Sequence, residues 1–424
     1  MQISEKNIEI DFNEIPVDNF WNNNVQRELK MHKIHAYPAK FPSFMIPKSL
    51  EYAEETGVKV KSIADIFCGC GTTALEAKRS EIDFWGCDIN PVATLIAKTK
   101  SEQYSKTILE SQFKQIIDNY SSKKIDAPDY YLLNERINYW FYKEQINDLY
   151  KLLSSIRDTV PKGKYQNFFL CAFSNILKGV SKWLTKSIKP QVDPNKIPQD
   201  VKTAIEKQFN FMLNANQEAI GDYSSKSKTK IRNTNFLNTK LDNISVDMLI
   251  TSPPYVTSYE YADIHQLSTL WLEYVADYRN LREGTIGSLY HHNSSNEELN
   301  SLNHIGKDIF NKMLEVDKRK AKSIAKYFLD IKNTISKSSQ IINPGGLAVF
   351  VIGNTKYKNV EVDNAKYLTK CMLDEGFSEI NVFKRKISYK NLTPYRDSKG
   401  KFSTNPNHRK VYNHEFVIIA NKTT

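Results

Sequence analysis

Short apolar runs, each ending in turn or polar residues, recur along this chain and predict buried strands. The runs lie at 62–67, 83–87, 246–250, 347–352 and 415–420. Patterns typical of amphipathic helices fill the intervals between them, as at 72–79 and 365–375. Because strands that alternate with helices favour parallel pairing, we predict an α/β fold with a doubly wound, mostly parallel, Rossmann-like sheet.

The regular spacing breaks once, between the second and the third predicted strands. About 150 residues lie there, many more than an ordinary crossover connection needs. Residues 101–230 have a mostly helical pattern, with apolar centres at 139–142 and 168–170. We therefore predict a sheet domain formed by 1–100 and 231–424, with a large, mainly helical insertion between its two parts.

The charge of the chain adds a candidate partner. The 424 residues carry a formal net charge of +11, and the insertion holds 20 Lys and Arg residues against 14 Asp and Glu residues. Lysines and arginines that face phosphates release counterions on binding, so this excess indicates a polyanionic partner. We interpret the lysine-rich stretch at 224–230 as a flexible basic linker.

Signals for a membrane, for secretion and for a metal are missing from the sequence. The first 16 residues are acidic and lack an apolar core, and no stretch approaches the ~20 apolar residues that cross a bilayer. The five cysteines form neither a paired framework nor a metal-ligand set. We therefore expect reduced thiols, no bound metal and a cytoplasmic protein.

A glycine-rich turn follows the first predicted strand, in the run 65–73 (DIFCGCGTT). Gly69 and Gly71 allow the backbone to approach a ligand closely. The helix that begins near Thr72 favours an anionic group, such as a carboxylate, at its N-terminus. The same pattern also occurs in turns that only connect a strand to a helix, so the turn by itself leaves both interpretations open.

Asp88 ends the next predicted strand, roughly 20 residues beyond the glycine turn. A carboxylate at this position accepts hydrogen bonds from both hydroxyls of a ribose in dinucleotide-binding folds. The alternative is an ordinary strand-end carboxylate that caps the following helix. Together, the turn and Asp88 predict a site for an adenosine-containing cofactor.

The run 250–255 (ITSPPY) follows a further predicted strand and carries the candidate chemistry. Pro253 and Pro254 stiffen a loop at the carboxyl end of the sheet, where ligands bind in this architecture. An aromatic amine is a weak nucleophile, and acceptors around its hydrogens favour a pyramidal nitrogen that can attack a methyl group. The Ser252 hydroxyl and the Pro253 carbonyl are the candidate acceptors, and the Tyr255 ring is a stacking face for an extruded base. A proline turn with a packed tyrosine is the alternative.

With this glycine turn and this Pro-Pro loop, the chain resembles the amino-methylating DNA methyltransferases. Their cofactor motif has the form Phe-x-Gly-x-Gly, here Phe67, Gly69 and Gly71, and their catalytic motif is Asp/Asn/Ser-Pro-Pro-Tyr/Phe, here 252–255. The resemblance covers roughly 30–100 and 230–424. It implies that the sheet domain is the catalytic domain and that S-adenosyl-L-methionine is the cofactor, with Asp65, Phe67, Gly69, Gly71, Thr72 and Asp88 around it.

An upstream segment extends the resemblance. The run 32–42 (HKIHAYPAKFP) is similar to a Tyr-Pro-Ala-Lys-Phe segment found before the cofactor motif in one group of the family. In that group the segment is implied to close over the methionine end of the cofactor, which makes Tyr37, Lys40 and Phe41 candidate contacts. The usual Gly-Asp start of the segment before the catalytic loop is missing, so the residue near 232–235 that meets the adenine stays open.

Methylation of an amino group inside double-stranded DNA requires extrusion of the base and a surface that binds phosphates. Basic residues interleave with Trp183 in 178–189, and 381–410 holds nine Lys and Arg residues against one Asp. Solvated surface charge is the common alternative for any single lysine. The candidate DNA contacts are Lys182, Trp183, Lys186, Lys384, Arg385, Lys386 and Arg409. Because the insertion lies between the two motifs, we expect 101–230 to be the target-recognition domain.

The resemblance favours N4 of a flipped cytosine as the target and a role in restriction-modification, beside a possible cognate restriction endonuclease. N6 of adenine is the main alternative. Cytosine is favoured over it because the adenine enzymes more often carry Asp or Asn where this chain has Ser252. An RNA methyltransferase and a non-catalytic DNA-binding subunit are weaker alternatives. After the loop, 259–272 predicts a helix whose Leu267, Leu270 and Trp271 belong to the core.

Overall fold

A computed structural model describes residues 1–22, 28–38, 40–223, 226–256, 260–287, 299–387, 395–397, 402–403, 405–410 and 414–423. Its strands are β1 (Gln2–Ile3), β2 (Ser62–Asp65), β3 (Asp83–Asp88), β4 (Thr229–Asn233), β5 (Val246–Thr251), β6 (Ile342–Ile352), β7 (Thr355–Tyr357), β8 (Val360–Val362), β9 (Phe377–Lys386), β10 (Tyr395–Arg396), β11 (Phe402–Ser403), β12 (Arg409–Lys410) and β13 (His414–Lys422).

The helices alternate with these strands and fill the long interval between β3 and β4. They are α1 (Met45–Glu55), α2 (Thr72–Arg79), α3 (Pro91–Lys100), α4 (Lys106–Ser122), α5 (Asp129–Leu132), α6 (Glu135–Trp140), α7 (Lys143–Thr159), α8 (Lys164–Ile176), α9 (Val201–Ala219), α10 (Tyr261–Ile264), α11 (Gln266–Trp271), α12 (His304–Val316), α13 (Lys318–Ser339) and α14 (Asn364–Asp374). Short 3₁₀ turns lie at Phe12–Glu14, Phe20–Asn22, Lys30–Lys33, Phe236–Asn238 and Tyr278–Arg282.

Eight strands form one sheet in the order β1-β9-β13-β6-β5-β2-β3-β4. The strands from β6 to β4 pair in parallel, whereas β13 is antiparallel to both of its neighbours, β6 and β9. The chain runs from β2 outward to β4 and then returns to place β5 on the other side of β2. The adjacent carboxyl ends of β2 and β5 therefore form the topological switch point, where open α/β sheets bind ligands.

Alternate residues of the strands pack into two cores, one on each face of the sheet. Ala64 and Leu249 face a core that contains helices α13 and α14, whereas Ile63 and Met248 face a core that contains α1 and α2. Because both faces are covered, the central strands are mainly apolar. The prediction of a doubly wound, mostly parallel α/β sheet is confirmed.

Strands β4 and β9 of the large sheet are among those that the sequence analysis missed. Thr229 and Lys230 belong to β4, an edge strand that pairs with β3, so the interpretation of 224–230 as a flexible linker is wrong for its last two residues. Residues 224 and 225 of that stretch lie outside the described part. Strand β9 occupies the first part of the basic run 381–410, and its side chains alternate between buried and partly exposed positions. Edge and amphipathic strands lack the continuous apolar run that marks a central strand.

The helices from α4 to α9 pack into a third core, which they share with the sheet domain. That core includes Leu95 and Ile96 of α3, Phe168 of α8 and Trp271 of α11. The predicted helix 259–272 is divided into α10 and α11, with residue 259 outside the described part. Among the helices described, none is long and apolar enough to cross a membrane.

Candidate active site

A cavity of about 1300 Å³ opens at the carboxyl ends of β2, β3 and β5. It is lined by parts of the segments 32–42, 65–72 and 252–255 and by Asp88, all of which the sequence had singled out. The switch point of the sheet therefore brings the glycine turn, Asp88 and the Pro-Pro loop around one space.

The glycine turn adopts the backbone conformations that glycine favours. Gly69 has a φ of +46°, and Gly71 has a φ of +76° at the N-cap of α2. A Cβ atom on Gly71 would lie 2.6 Å from the Cα atom of Ala97 in α3, so a side chain has no room there. The turn therefore holds α2 close against α3.

Asp88 is joined to the glycine turn by hydrogen bonds from the backbone. Its Oδ2 atom accepts from the amide of Gly69 at 2.9 Å, and its Oδ1 atom accepts from the amide of Asn90 at 2.8 Å. Burial raises the pKa of this carboxyl to about 6, against the effect of the two amides. Each carboxylate oxygen keeps a further lone pair, which two ribose hydroxyls can share.

Asp65 lies one strand away and has a different environment. Its two oxygens accept from the hydroxyls of Thr73 and Thr251, each at 2.6 Å, and Oδ1 also accepts from the amide of Phe67 at 3.2 Å. Burial raises the pKa of Asp65 to about 6 as well. These bonds connect β2, α2 and β5, so the geometry favours a structural role for a residue that we predicted as a cofactor contact.

The upstream segment covers the glycine turn with Tyr37. The Tyr37 hydroxyl would lie 3.5 Å from a Cβ atom on Gly69, and its ring stacks on His265 with 5.1 Å between centroids. Lys40 forms an ion pair with Glu28 at 2.8 Å and lines the cavity. Phe41 packs against the core that contains α1 and α2, and it also lines the cavity. The structure thus places all three candidates at the cavity, with Tyr37 next to the glycine turn.

The Pro-Pro loop also lines the cavity. The Tyr255 ring rests on the backbone of Gly353, where a Cβ atom would lie 2.9 Å from ring atom Cε2. The Tyr255 hydroxyl donates to Oε2 of Glu415 at 3.1 Å. Burial and the neighbouring Glu415 raise the pKa of Tyr255 well above its usual value, so the phenol stays protonated.

Comparisons with known proteins agree with this arrangement. Residues 2–99, which include the upstream segment, the glycine turn and Asp88, match the N6_N4_Mtase family model, described as a DNA methylase. The chain is 24% identical over 422 residues to the type II methyltransferase M.MvaI of Kocuria varians, covering 92% of this chain and 90% of the relative. These matches support the predicted similarity to the amino-methylating DNA methyltransferases.

A second relative and a solved structure extend the comparison. The type II methyltransferase M.BsoBI of Geobacillus stearothermophilus is 23% identical over 416 residues, covering 83% of this chain and 80% of the relative. The rRNA methyltransferase aviRa from Streptomyces viridochromogenes aligns with a TM-score of 0.30 and 10% identity, over 91% of this chain and 88% of that one. An alignment with so low a score carries no weight for fold or substrate.

Two buried polar atoms show that the cavity of this methyltransferase suits a polar ligand. Neither Oγ1 of Thr72 nor Nδ2 of Asn90 has a hydrogen-bond partner, although both residues line the cavity. Buried polar atoms without partners are costly, and a ligand that satisfies them gains this free energy. Thr72 was predicted as a cofactor contact, whereas Asn90 was missed, although it follows Asp88 by only two positions. In the described part of the chain, no cluster of His, Cys, Asp or Glu side chains could hold a metal ion.

The candidate DNA contacts of the methyltransferase lie in unlike environments. Lys186 and Lys386 are exposed and line the cavity. Lys182 lies over the Tyr142 ring and donates to the carbonyl of Asn138, and Lys384 donates to the carbonyl of Asn13. The backbone of Arg409 lies in β12, and its side chain is outside the described part.

Two further candidates are buried, which differs from the expected surface position. Trp183 is stacked on Trp140 with 4.7 Å between centroids, and Arg385 is paired with Glu415 in the interior. Both residues border the cavity, but little of either side chain is exposed to a phosphate or a base. The sequence placed both in basic runs and gave no sign of their partners, since Trp140 and Glu415 are distant along the chain. Their packing and pairing favour a structural role for both, and their contact with DNA stays a prediction.

Proposed function

We propose that this protein is a site-specific DNA methyltransferase that transfers a methyl group from S-adenosyl-L-methionine to N4 of a flipped cytosine. The observation that carries the proposal is the position of Ser252, which lines the same cavity as the glycine turn and Asp88. When bound, the cofactor supplies a methyl group on a positively charged sulfur. No residue of the chain has to form a covalent bond to the base.

Each residue around the cavity has a proposed role in binding the cofactor or the target base. Asp88 is proposed to hold the ribose, and Thr72 and Asn90 to satisfy polar atoms of the cofactor. Tyr37 closes the methionine end, with Lys40 and Phe41 beside it. Ser252 and the Pro253 carbonyl accept hydrogen bonds from the target amine, and Tyr255 stacks on the base. Because hydrogen bonds to a forming pyramidal nitrogen strengthen during attack, they lower the barrier rather than only bind the base.

For DNA binding, we propose a rim of exposed lysines around the cavity. Lys186 follows α8 in the insertion and Lys386 ends β9, so they approach the same opening from two parts of the chain. We also propose that 101–230 supplies target recognition, since it contributes one side of the opening. The relatives named above are type II methyltransferases, which supports a role in cytoplasmic restriction-modification beside a cognate endonuclease.

The test is incubation of the purified protein with labelled cofactor and with DNA or RNA, followed by digestion to nucleosides. N4-methylcytosine from DNA supports the proposal, and N6-methyladenine supports the adenine alternative. Ser252→Ala is expected to lower the single-turnover rate while cofactor and DNA affinities stay close to normal. A folded Ser252→Ala variant that transfers methyl groups at the normal rate would show that this loop is not the catalytic pocket.

A further inference from the structure

The segment that carries Tyr37 has no regular secondary structure of its own. Residues 34–38 follow the 3₁₀ turn Lys30–Lys33, and none of them belongs to a helix or a strand. Within the described part of the chain, their backbone groups make no backbone–backbone hydrogen bond with another segment. Peptide groups away from water need hydrogen-bond partners, so side chains have to provide them here.

Two amide side chains of the helical insertion provide these partners. The backbone amide of Ala36 donates to Oδ1 of Asn175 in α8 at 2.9 Å. Nδ2 of Asn175 donates to Oε1 of Gln208 in α9 at 2.8 Å, and Nε2 of Gln208 donates to the carbonyl of Ile34 at 2.7 Å. We call these three hydrogen bonds the amide clamp. The amide clamp therefore holds the backbone of the segment at two points.

The backbone fixes the direction of the hydrogen bonds in the amide clamp. A peptide N–H only donates and a peptide carbonyl only accepts. Asn175 must therefore turn its oxygen toward Ala36, and Gln208 must turn its nitrogen toward Ile34. Each amide then presents the complementary atom to the other. A carboxylate in place of Gln208 has no proton for the carbonyl of Ile34, so it cannot complete the clamp.

A neighbouring contact joins the segment to the same helix. His35 is buried, and its Nε2 atom is hydrogen-bonded to Oγ of Ser174 at 2.9 Å. Consecutive residues of the segment, His35 and Ala36, thus pair with consecutive residues of α8, Ser174 and Asn175. Ile34 also belongs to the core that contains the helices of the insertion. The segment is therefore attached to the insertion immediately before Tyr37.

Tyr37 follows the amide clamp directly and covers the glycine turn. Its hydroxyl would lie 3.5 Å from a Cβ atom on Gly69, and its ring stacks on His265 with 5.1 Å between centroids. The stack fixes the ring from one side, and the backbone of 34–36 fixes the point from which the ring starts. A shift of that backbone would move the ring away from the turn.

We propose that Asn175 and Gln208 are positioning residues that hold Tyr37 over the cofactor site. The helical insertion then completes a site whose glycine turn and Asp88 belong to the sheet domain. The inference rests on the proposed function, because it takes the cavity as the site of S-adenosyl-L-methionine and Tyr37 as the cover of its methionine end. Both amides act through the backbone of 34–36, and Tyr37 makes the contact.

Gln208→Glu is the most direct variant, because it keeps the size of the side chain and removes the donor to Ile34. We expect the affinity for S-adenosyl-L-methionine to fall on the order of tenfold, as for the loss of a hydrogen bond that leaves a carbonyl unpaired. Methylthioadenosine contains the adenosine but lacks the amino-acid part, so its affinity should stay within about twofold of the wild type. Calorimetric titration measures both. Equal losses for the two ligands would indicate general damage to the site and overturn the inference.

Tyr37→Ala tests whether the amide clamp acts through this ring. We expect it to weaken S-adenosyl-L-methionine binding at least as much as Gln208→Glu does. In the Tyr37→Ala background, Gln208→Glu should have no further effect, because both changes remove the same contact. Losses that multiply in the double variant would show that Gln208 acts by another route, which contradicts the inference.

Gln208→Glu adds a charge at a half-buried position, and this charge can destabilise the fold. Gln208→Leu breaks the amide clamp without a charge, and it should give the same selective loss for S-adenosyl-L-methionine. A folded Gln208→Leu variant with wild-type affinity for both ligands overturns this inference alone. A wild-type protein that does not bind S-adenosyl-L-methionine overturns the proposed function and the inference with it.

Asn216→Leu is the matched control. Asn216 also lies in α9, where it accepts from the backbone amide of Tyr104 at 3.2 Å and donates to the carbonyl of the same residue at 2.9 Å. Its substitution breaks a similar pair of bonds to a different segment. We expect a lower melting temperature and an unchanged ratio between the two affinities. A selective loss for S-adenosyl-L-methionine in Asn216→Leu would assign the effect to α9 as a whole and overturn the inference.

Discussion

At the scale of single residues, Asp65 and Asp88 show how similar carboxylates acquire different roles. Both lie at strand ends, and burial raises the pKa of each to about 6. Asp65 accepts from two threonine hydroxyls and one amide, whereas Asp88 accepts from two backbone amides at the cavity wall. The sequence predicted both as cofactor contacts, because it shows where a carboxylate ends a strand but not which donors the fold has already supplied.

The pKa of Asp88 leads to a test of cofactor binding. Ribose hydroxyls donate to the ionised carboxylate, so the affinity for S-adenosyl-L-methionine should fall as the pH drops through about 6, where Asp88 takes up a proton. Asp88→Asn should bind about 1.5–3 kcal/mol more weakly at neutral pH, and its affinity should lose most of this pH dependence. Calorimetric titrations between pH 5 and 8 measure both effects. Asp65→Asn is the control, and an equal loss of the pH dependence in that variant would assign the titration to Asp65 instead.

The same two groups affect stability in the opposite direction. Their folded pKa lies above the ordinary value of 3.8, so the folded state binds more protons than the unfolded state between about pH 4 and pH 6. The free energy of unfolding contributed by these groups should therefore decrease as the pH rises through this window and level off above it. Urea unfolding of the wild type and of Asp65→Asn at several pH values checks the sign. A contribution from Asp65 that increases with pH would contradict it.

At the scale of elements, the central strands and the glycine turn were predictable because their sequence and their environment agree. A buried parallel strand needs a continuous apolar run, and 83–87 and 246–250 have one. Strands β4 and β9 were missed because edge and amphipathic strands carry polar residues. The burial of Trp183 was missed for another reason. Its stacking partner, Trp140, lies in α6, and no local pattern records a contact between distant parts of the chain.

Trp183 and Lys186 lie in the same segment after α8, but the first is buried and the second is exposed. Substitutions at the two positions should therefore have different effects. Trp183→Ala should lower the free energy of unfolding by about 3–5 kcal/mol, as expected for a large buried side chain. The folded fraction should keep the normal salt dependence of DNA binding. Lys186→Ala, in the same segment, should leave the melting temperature unchanged and lower the log–log salt slope by about one unit. An unchanged slope for Lys186→Ala would remove this lysine from the proposed rim.

At the scale of the whole molecule, the helical insertion and the sheet domain share one core. Tyr131 of α5 stacks on Trp271 of α11 with 4.7 Å between centroids, and Phe173 of α8 packs on the same tryptophan at 5.9 Å. Leu95 and Ile96 of α3 belong to this core as well. A boundary drawn at residue 100 from the spacing of strands therefore does not coincide with a gap in packing. The helices that supply one side of the cavity are fixed to the helices beside the proposed cofactor site.

This shared core predicts cooperative unfolding of the chain. Because separating 101–230 from the rest would expose Trp271 and α3 to water, we expect one thermal transition rather than two. Differential scanning calorimetry should give equal calorimetric and van't Hoff enthalpies, and S-adenosyl-L-methionine should shift the whole transition upward, since it binds only the folded state. Trp271→Ala, which weakens the contact between the two parts, is expected to lower the transition temperature and to divide the transition. Two separate transitions in the wild type, with only one raised by the cofactor, would show instead that the insertion is an independent unit.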